Sequence, residues 1–173
     1  MRCTIAGAIC AFVLAAGRLA IAAEHASPPP TPSPYLVGRR GVITPEADAL
    51  SGIGFRPFVP SRHPAAIALL APFKGDDTVQ NRGIGYEYAS DHGRMYVLSQ
   101  WPSNGGSISG FPALAITEPG CADIRSFPGT QKSRGIVWTT PRGLVFTLQP
   151  DGRSDPRTLQ AEWRRLARRG ACR

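Results

Sequence analysis

Few residues in this sequence combine a reactive type with a useful spacing. Asp91 and His92 sit together, and Ser107 lies in Gly105-Gly106-Ser107-Ile108-Ser109-Gly110. A serine, a histidine and an aspartate are the parts of a nucleophilic triad, but their roles depend on geometry that folding must supply. Neither serine of the Gly/Ser run has glycines two before and two after it, so the nucleophile-elbow pattern is absent. Asp76, Asp77 and Glu118 offer carboxylates without a spacing that pairs them for acid–base work. His25, His63 and His92 are far apart, and none begins a ligand pair of the kind that holds zinc. No glycine pattern matches a phosphate-binding loop. The expectation is therefore a protein without catalytic residues, cofactor or metal. The Gly/Ser loop 103–110 stays open as a flexible connection or a binding lip.

Two other groups of residues point to binding. Tyr86, Tyr88 and Trp101 fall on neighbouring predicted strands, where they either cover a core or line an apolar groove. Arg164, Arg165, Arg168 and Arg169 crowd the last turns of a predicted helix. From Arg153 to the C-terminus seven arginines face only Asp155 and Glu162, a local charge of +5 that attracts anionic lipid, lipopolysaccharide or wall polymer. The competing reading is a solvated helix face whose terminal cations suit the helix dipole.

The elements that must carry these residues are legible. Ala65 to Ala71 is an apolar run between Pro64 and Pro72, consistent with a strand. Gly83 to Trp101 reads as a hairpin, with Ile84, Tyr86 and Tyr88 alternating onto one face and Gly93 in the turn. Gly135–Thr139 and Leu144–Leu148 form a second hairpin about Thr140-Pro141-Arg142-Gly143, whose proline and glycine suit a type I turn. Phe111 to Thr117 is expected to add a strand. Asp155 caps a closing helix, Pro156 fits its first turn, Gly170 ends it, and Leu159, Trp163 and Leu166 form its apolar stripe. The expected fold is α+β: an antiparallel sheet of two hairpins plus one or two further strands, with the C-terminal helix packed on it.

The N-terminus determines the compartment. Arg2, an apolar run from Cys3 to Gly17, and Leu19-Ala20-Ile21-Ala22-Ala23 have the features of a secretory signal. Cleavage is expected after Ala22, with Gly17 as an earlier alternative; an uncleaved inner-membrane anchor is the rival. Losing residues 1–22 removes Arg2 and Arg18 and lowers the formal net charge from +8 to +6. Residues 23–54 then read as a Pro/Gly-rich spacer and lead-in, with Ser-Pro-Pro-Pro-Thr-Pro-Ser-Pro at 27–34, and residues 55–173 as the domain. Cys3 and Cys10 belong to the signal. Cys121 and Cys172 remain, and one intramolecular disulfide in an oxidising compartment is expected, with two free thiols or an intermolecular pair as the alternatives.

The order of blocks resembles a bacterial extracytoplasmic domain of unknown function found at the outer ends of anti-sigma factors and in lipoprotein-carrier-like proteins. The matching features are Val59-Pro60-Ser61-Arg62-His63-Pro64, Gly85-Tyr86-Glu87-Tyr88 and Met95 to Gln100. They continue in Gly135-Ile136-Val137-Trp138, Gly143 to Leu148, and Leu159 to Leu166, covering residues 57–169. With no domain ahead of the apolar segment, a membrane-spanning anti-sigma factor is not expected. The resemblance implies a periplasmic or secreted sensing or binding module. Its partner is expected to be an envelope protein or an anionic envelope component, with peripheral membrane contact compatible. Export disfavours nucleic acid as a partner, and the oligomeric state is not specified by the sequence.

Overall fold

A computed structural model describes residues 41–104, 106–128 and 134–173. The expected signal segment and the proline-rich run lie outside them. The chain forms β1 (Val42–Ile43), α1 (Glu46–Ser51), β2 (Ala66–Leu70), β3 (Gly83–Ala89) and β4 (Met95–Pro102). It continues with β5 (Ala122–Pro128), β6 (Arg134–Thr139), β7 (Leu144–Pro150) and α2 (Pro156–Leu166), which runs on into a π-helical turn at Ala167–Ala171. The seven strands make one antiparallel sheet in the order β1-β2-β3-β4-β7-β6-β5. With helices few and the C-terminal one packed on this sheet, the fold is α+β.

Both predicted hairpins form, and their turns follow from glycine. Gly93 and Gly143 each have φ of 72°, a left-handed conformation that side chains with a Cβ rarely adopt. Ser90 N donates to Arg94 O at 2.8 Å, and Thr140 N to Leu144 O at 3.0 Å, closing the two loops. The first meander, β1 to β4, ends at Pro102. Residues 103–121 then carry the chain to the far edge, and β5, β6 and β7 step back until β7 pairs with β4.

Three expectations need correction. Phe111 to Thr117 is not a strand: it contributes one bridge, Ala113 to Arg125, and Pro112 has no amide proton to extend it. The strand at this edge is β5, which sequence patterning passes over because Asp123, Arg125 and Pro128 are poor strand formers. A bulge between Ala122 and Arg125, with Asp123 at φ 48°, further breaks its alternation. The packed unit also begins ahead of residue 55. Val42 and Ile43 pair with Leu69 and Ala68, and α1 seats Ala49 beside Ile53, Ile67, Ile84 and Tyr86.

The sheet is buried on both faces. Register places Tyr88, Tyr96, Leu98, Phe146, Leu148, Ile136 and Trp138 on one side, where Leu159, Trp163 and Leu166 of α2 cover them. Trp138 stacks on Phe146 at 5.1 Å and meets the edge of Trp163 at 6.3 Å, favourable aromatic geometries. Asp155 caps α2 by accepting from Thr158 N at 3.3 Å, and Pro156 occupies the first turn. The opposite face carries Val97, Trp101, Val137, Val145 and Phe127, and among the described residues no helix lies on it. Loop residues Phe73, Ile108 and Phe111 pack there instead.

The C-terminus is stapled as expected: Cys121 and Cys172 form a disulfide, with Cα atoms 4.6 Å apart. Gly120 has φ of 83°, and a Cβ there would lie 2.6 Å from the carbonyl oxygen of Cys172, so the approach requires glycine. The bridge spans 51 residues, for which loop closure predicts about 4 kcal/mol. A Cys121→Ala/Cys172→Ala variant should lose about 2–4 kcal/mol in urea unfolding. Two free thiols in the native protein, or unchanged stability in the variant, would contradict the staple.

Candidate functional site

The residues singled out in the sequence divide by burial. Tyr86 and Tyr88 are 0% exposed and Trp101 is 3% exposed, so the three cannot form a binding surface. They are not neighbours either. Pairing of Ile84 with Gln100 puts the tyrosines on the helix-covered face and Trp101 on the other, where its indole donates to Ala71 O at 3.0 Å. The expected aromatic groove is therefore core.

Tyr88 belongs instead to a buried polar network under α2. Its hydroxyl donates to Glu162 Oε1 at 2.7 Å. Arg165, one turn further along α2, donates from Nη2 to Oε1 at 2.6 Å and from Nε to Oε2 at 2.9 Å. The two-pronged fork matches the carboxylate plane. Asp91 of the β3–β4 turn lies 4.0 Å from Arg165 Nε, linking the hairpin tip to the helix. Hydrogen bonding to Glu162 raises the Arg165 pKa and holds its charge. Burial first, then the Glu162 charge, keeps the Tyr88 phenol neutral far above its ordinary range. Burial and, secondarily, Glu46 push Tyr86 up to about 12. Around the network lies a cleft of about 210 Å³, lined in part by His92, Arg94, Tyr96 and Thr158.

The triad components do not meet. His92 is exposed in the turn that precedes β4, whereas Ser107 follows the other end of β4. Among the described residues no hydrogen bond or ion pair joins Ser107 to His92 or Asp91, and Ser107 does not line the cleft that holds those two. Ser107 donates to Ser109 Oγ at 2.8 Å. Its loop serves as a cover: Ile108 is buried against Val137 and Val145, and Arg125 holds the loop by donating to Ser109 O and Phe111 O at 2.9 and 2.7 Å. A Cβ on Gly106 would lie 2.6 Å from the ring of Phe73, so a larger residue would lift this cover. Among the described residues, no group of three or more His, Cys, Asp or Glu could hold a metal ion.

The four candidate arginines also divide. Arg165 is committed to Glu162, and Arg169 Nη1 donates to Pro60 O at 2.6 Å. That contact pins the segment containing Phe58, whose backbone is also gripped at both ends by the Gln100 amide, at 2.8 and 2.6 Å. Arg164 and Arg168 are exposed. Arg157, one of the seven arginines of this basic stretch but not among the four candidates, is exposed on the same side one heptad before Arg164. Its helical spacing, i to i+7 to i+11, was the available signal. Among the described residues none of these three has an ion-pair or hydrogen-bonded side-chain partner.

No family model matches the chain, and no curated protein or solved structure matches it. No helix of the described residues is long and apolar enough to cross a membrane.

Both buried phenols ionise less readily in the folded than in the unfolded chain. The stability they confer is therefore intact below about pH 10 and falls as the pH rises, for Tyr86 through about 12. Phenolate absorbance should lag behind that of the urea-unfolded protein, and Tyr88→Phe should cost about 1–3 kcal/mol by removing a donor from buried Glu162. Ordinary titration of all four tyrosines in the native protein would contradict the buried network.

Proposed function

We propose that the protein is an exported, non-catalytic binding module of the bacterial envelope that engages an anionic partner through the outer side of α2. The carrying observation is the arginine row Arg157, Arg164 and Arg168, exposed and without acidic partners among the described residues. Ion-paired arginines on this helix have structural duties; these three have none, and their charge acts outward. The disulfide supports an oxidising compartment, and with it export through the N-terminal apolar segment. The resemblance to extracytoplasmic domains of anti-sigma factors supports the sensing variant of the same reading, in which the partner is an envelope protein. The lack of a contact between Ser107 and His92 among the described residues supports a role without hydrolysis.

Two measurements test this reading. Polyglutamate should bind the folded protein with a strong salt dependence. The combined Arg157→Gln, Arg164→Gln and Arg168→Gln variant should weaken that binding about tenfold while unfolding at the same urea concentration. Undiminished binding by the variant would remove α2 as the contact face. Turnover of a broad hydrolase substrate panel, abolished by Ser107→Ala, would overturn the non-catalytic assignment.

A further inference from the structure

Beside the arginine row, a cleft of about 300 Å³ opens between the start of α2 and strands β5 and β6. Its floor is apolar, formed by Leu114, Ile136 and Leu159. Its sides offer hydrogen-bonding groups from Ser126 on β5 and Gln160 on α2, and Arg134 stands at the β6 wall. No carboxylate lines it. Arg134 lines the strand side of the cleft, and on α2 Arg157 and Arg164 lie three residues before and four after Gln160, on the same side of the helix as that lining residue.

We propose that this cleft receives one apolar side chain from an acidic, extended segment of a partner protein. The inference rests on the binding-module reading above and identifies the partner's chemistry. The apolar floor takes the side chain, because desolvating an aliphatic group against Leu114, Ile136 and Leu159 is favourable. The partner's carboxylates sit beside Arg134, Arg157 and Arg164. Its backbone amides serve Ser126 and Gln160. A hydrocarbon chain of a lipid offers those two polar groups nothing, and leaving them unpaired on burial is costly. At about 300 Å³ the space suits one or two side chains and is at the small end for pockets that enclose whole ligands.

The test uses fluorescence anisotropy with a labelled, acetylated and amidated peptide, Glu-Asp-Leu-Asp-Glu. Its controls carry Ser in place of Leu or Lys in place of every acid, and vesicles containing phosphatidylglycerol form a separate arm. The acidic leucine peptide should bind, and amide resonances of Leu114, Ile136 and Gln160 should shift. Replacing the peptide's Leu by Ser, or plugging the cleft with Gln160→Trp, should weaken binding about tenfold. Arg134→Gln should weaken it by a smaller factor and raise the salt sensitivity no further. If Gln160→Trp fails to fold, the peptide series and Arg134→Gln decide the matter. Equal affinity for the leucine and serine peptides, or vesicle binding with no peptide binding, would overturn the assignment. Loss of polyglutamate binding in the triple arginine variant, together with peptide binding indifferent to the plug, would sink the cleft and leave the arginine row standing. Absence of polyglutamate binding in the parent protein would instead sink the broader reading.

Discussion

A sheet whose central strands are buried on both sides must be covered twice, and the helices among the described residues cover only one side. The packing of the loops follows from that division. α2 is spent on one face, where Leu159, Trp163 and Leu166 bury the tyrosines and Trp138. α1 and the segment around Phe58 complete that layer, held by Gln100 and Arg169. The other face is left to loops, and a loop can act as a roof only if it brings apolar side chains and satisfies its own backbone. Phe73, Ile108 and Phe111 meet the first demand, and Arg125 bonding to two loop carbonyls helps meet the second.

The same demand accounts for the packing of the glycine- and serine-rich stretch over this face. Gly106 permits close approach to Phe73, and Ser107 and Ser109 bond to each other. Reactive residue types were used to build a cover. Charge is handled in a comparable way at the other end of the sheet. Glu162 is 6% exposed, and its oxygens accept from Tyr88 and Arg165, so the carboxylate is paired within the core. Removing that fork would leave a buried carboxylate without its cationic partner, which is strongly destabilising.

Much of the fold was legible because it rests on local signals. The hairpins about Gly93 and Gly143 and the helix from Asp155 to Gly170 were readable, since turn chemistry, capping and periodicity are written in adjacent residues. β5 was not, because its Asp123, Arg125 and Pro128 take strand positions only through pairing with β6, a tertiary effect that overrides propensity. β1 is two residues long and exists through its register with β2. The site was half legible. The arginine cluster was visible as composition, but which arginines are free depends on Glu162 and Pro60, and the latter lies far away in sequence. Tyr86 and Tyr88 were correctly placed on one face; that the face is sealed depends on how α1 and α2 pack.

The position of the disulfide has a mechanical consequence. Joining Cys121 to Cys172 makes a covalent ring that contains β5, β6, β7 and α2, while β1 to β4 hang outside it on the N-terminal arm. Tension applied from that arm would first load the hydrogen bonds of the outer strands and would reach the ring through the β4–β7 seam, the backbone that leads from β4 to Cys121, and the contacts of the C-terminal helix with Tyr88 and Pro60. The protein is thus divided into a half that can peel and a half that is looped shut. A copy pulled from its N-terminal side would give way first at β1, the two-residue edge strand, leaving the ring closed around the arginine-bearing helix.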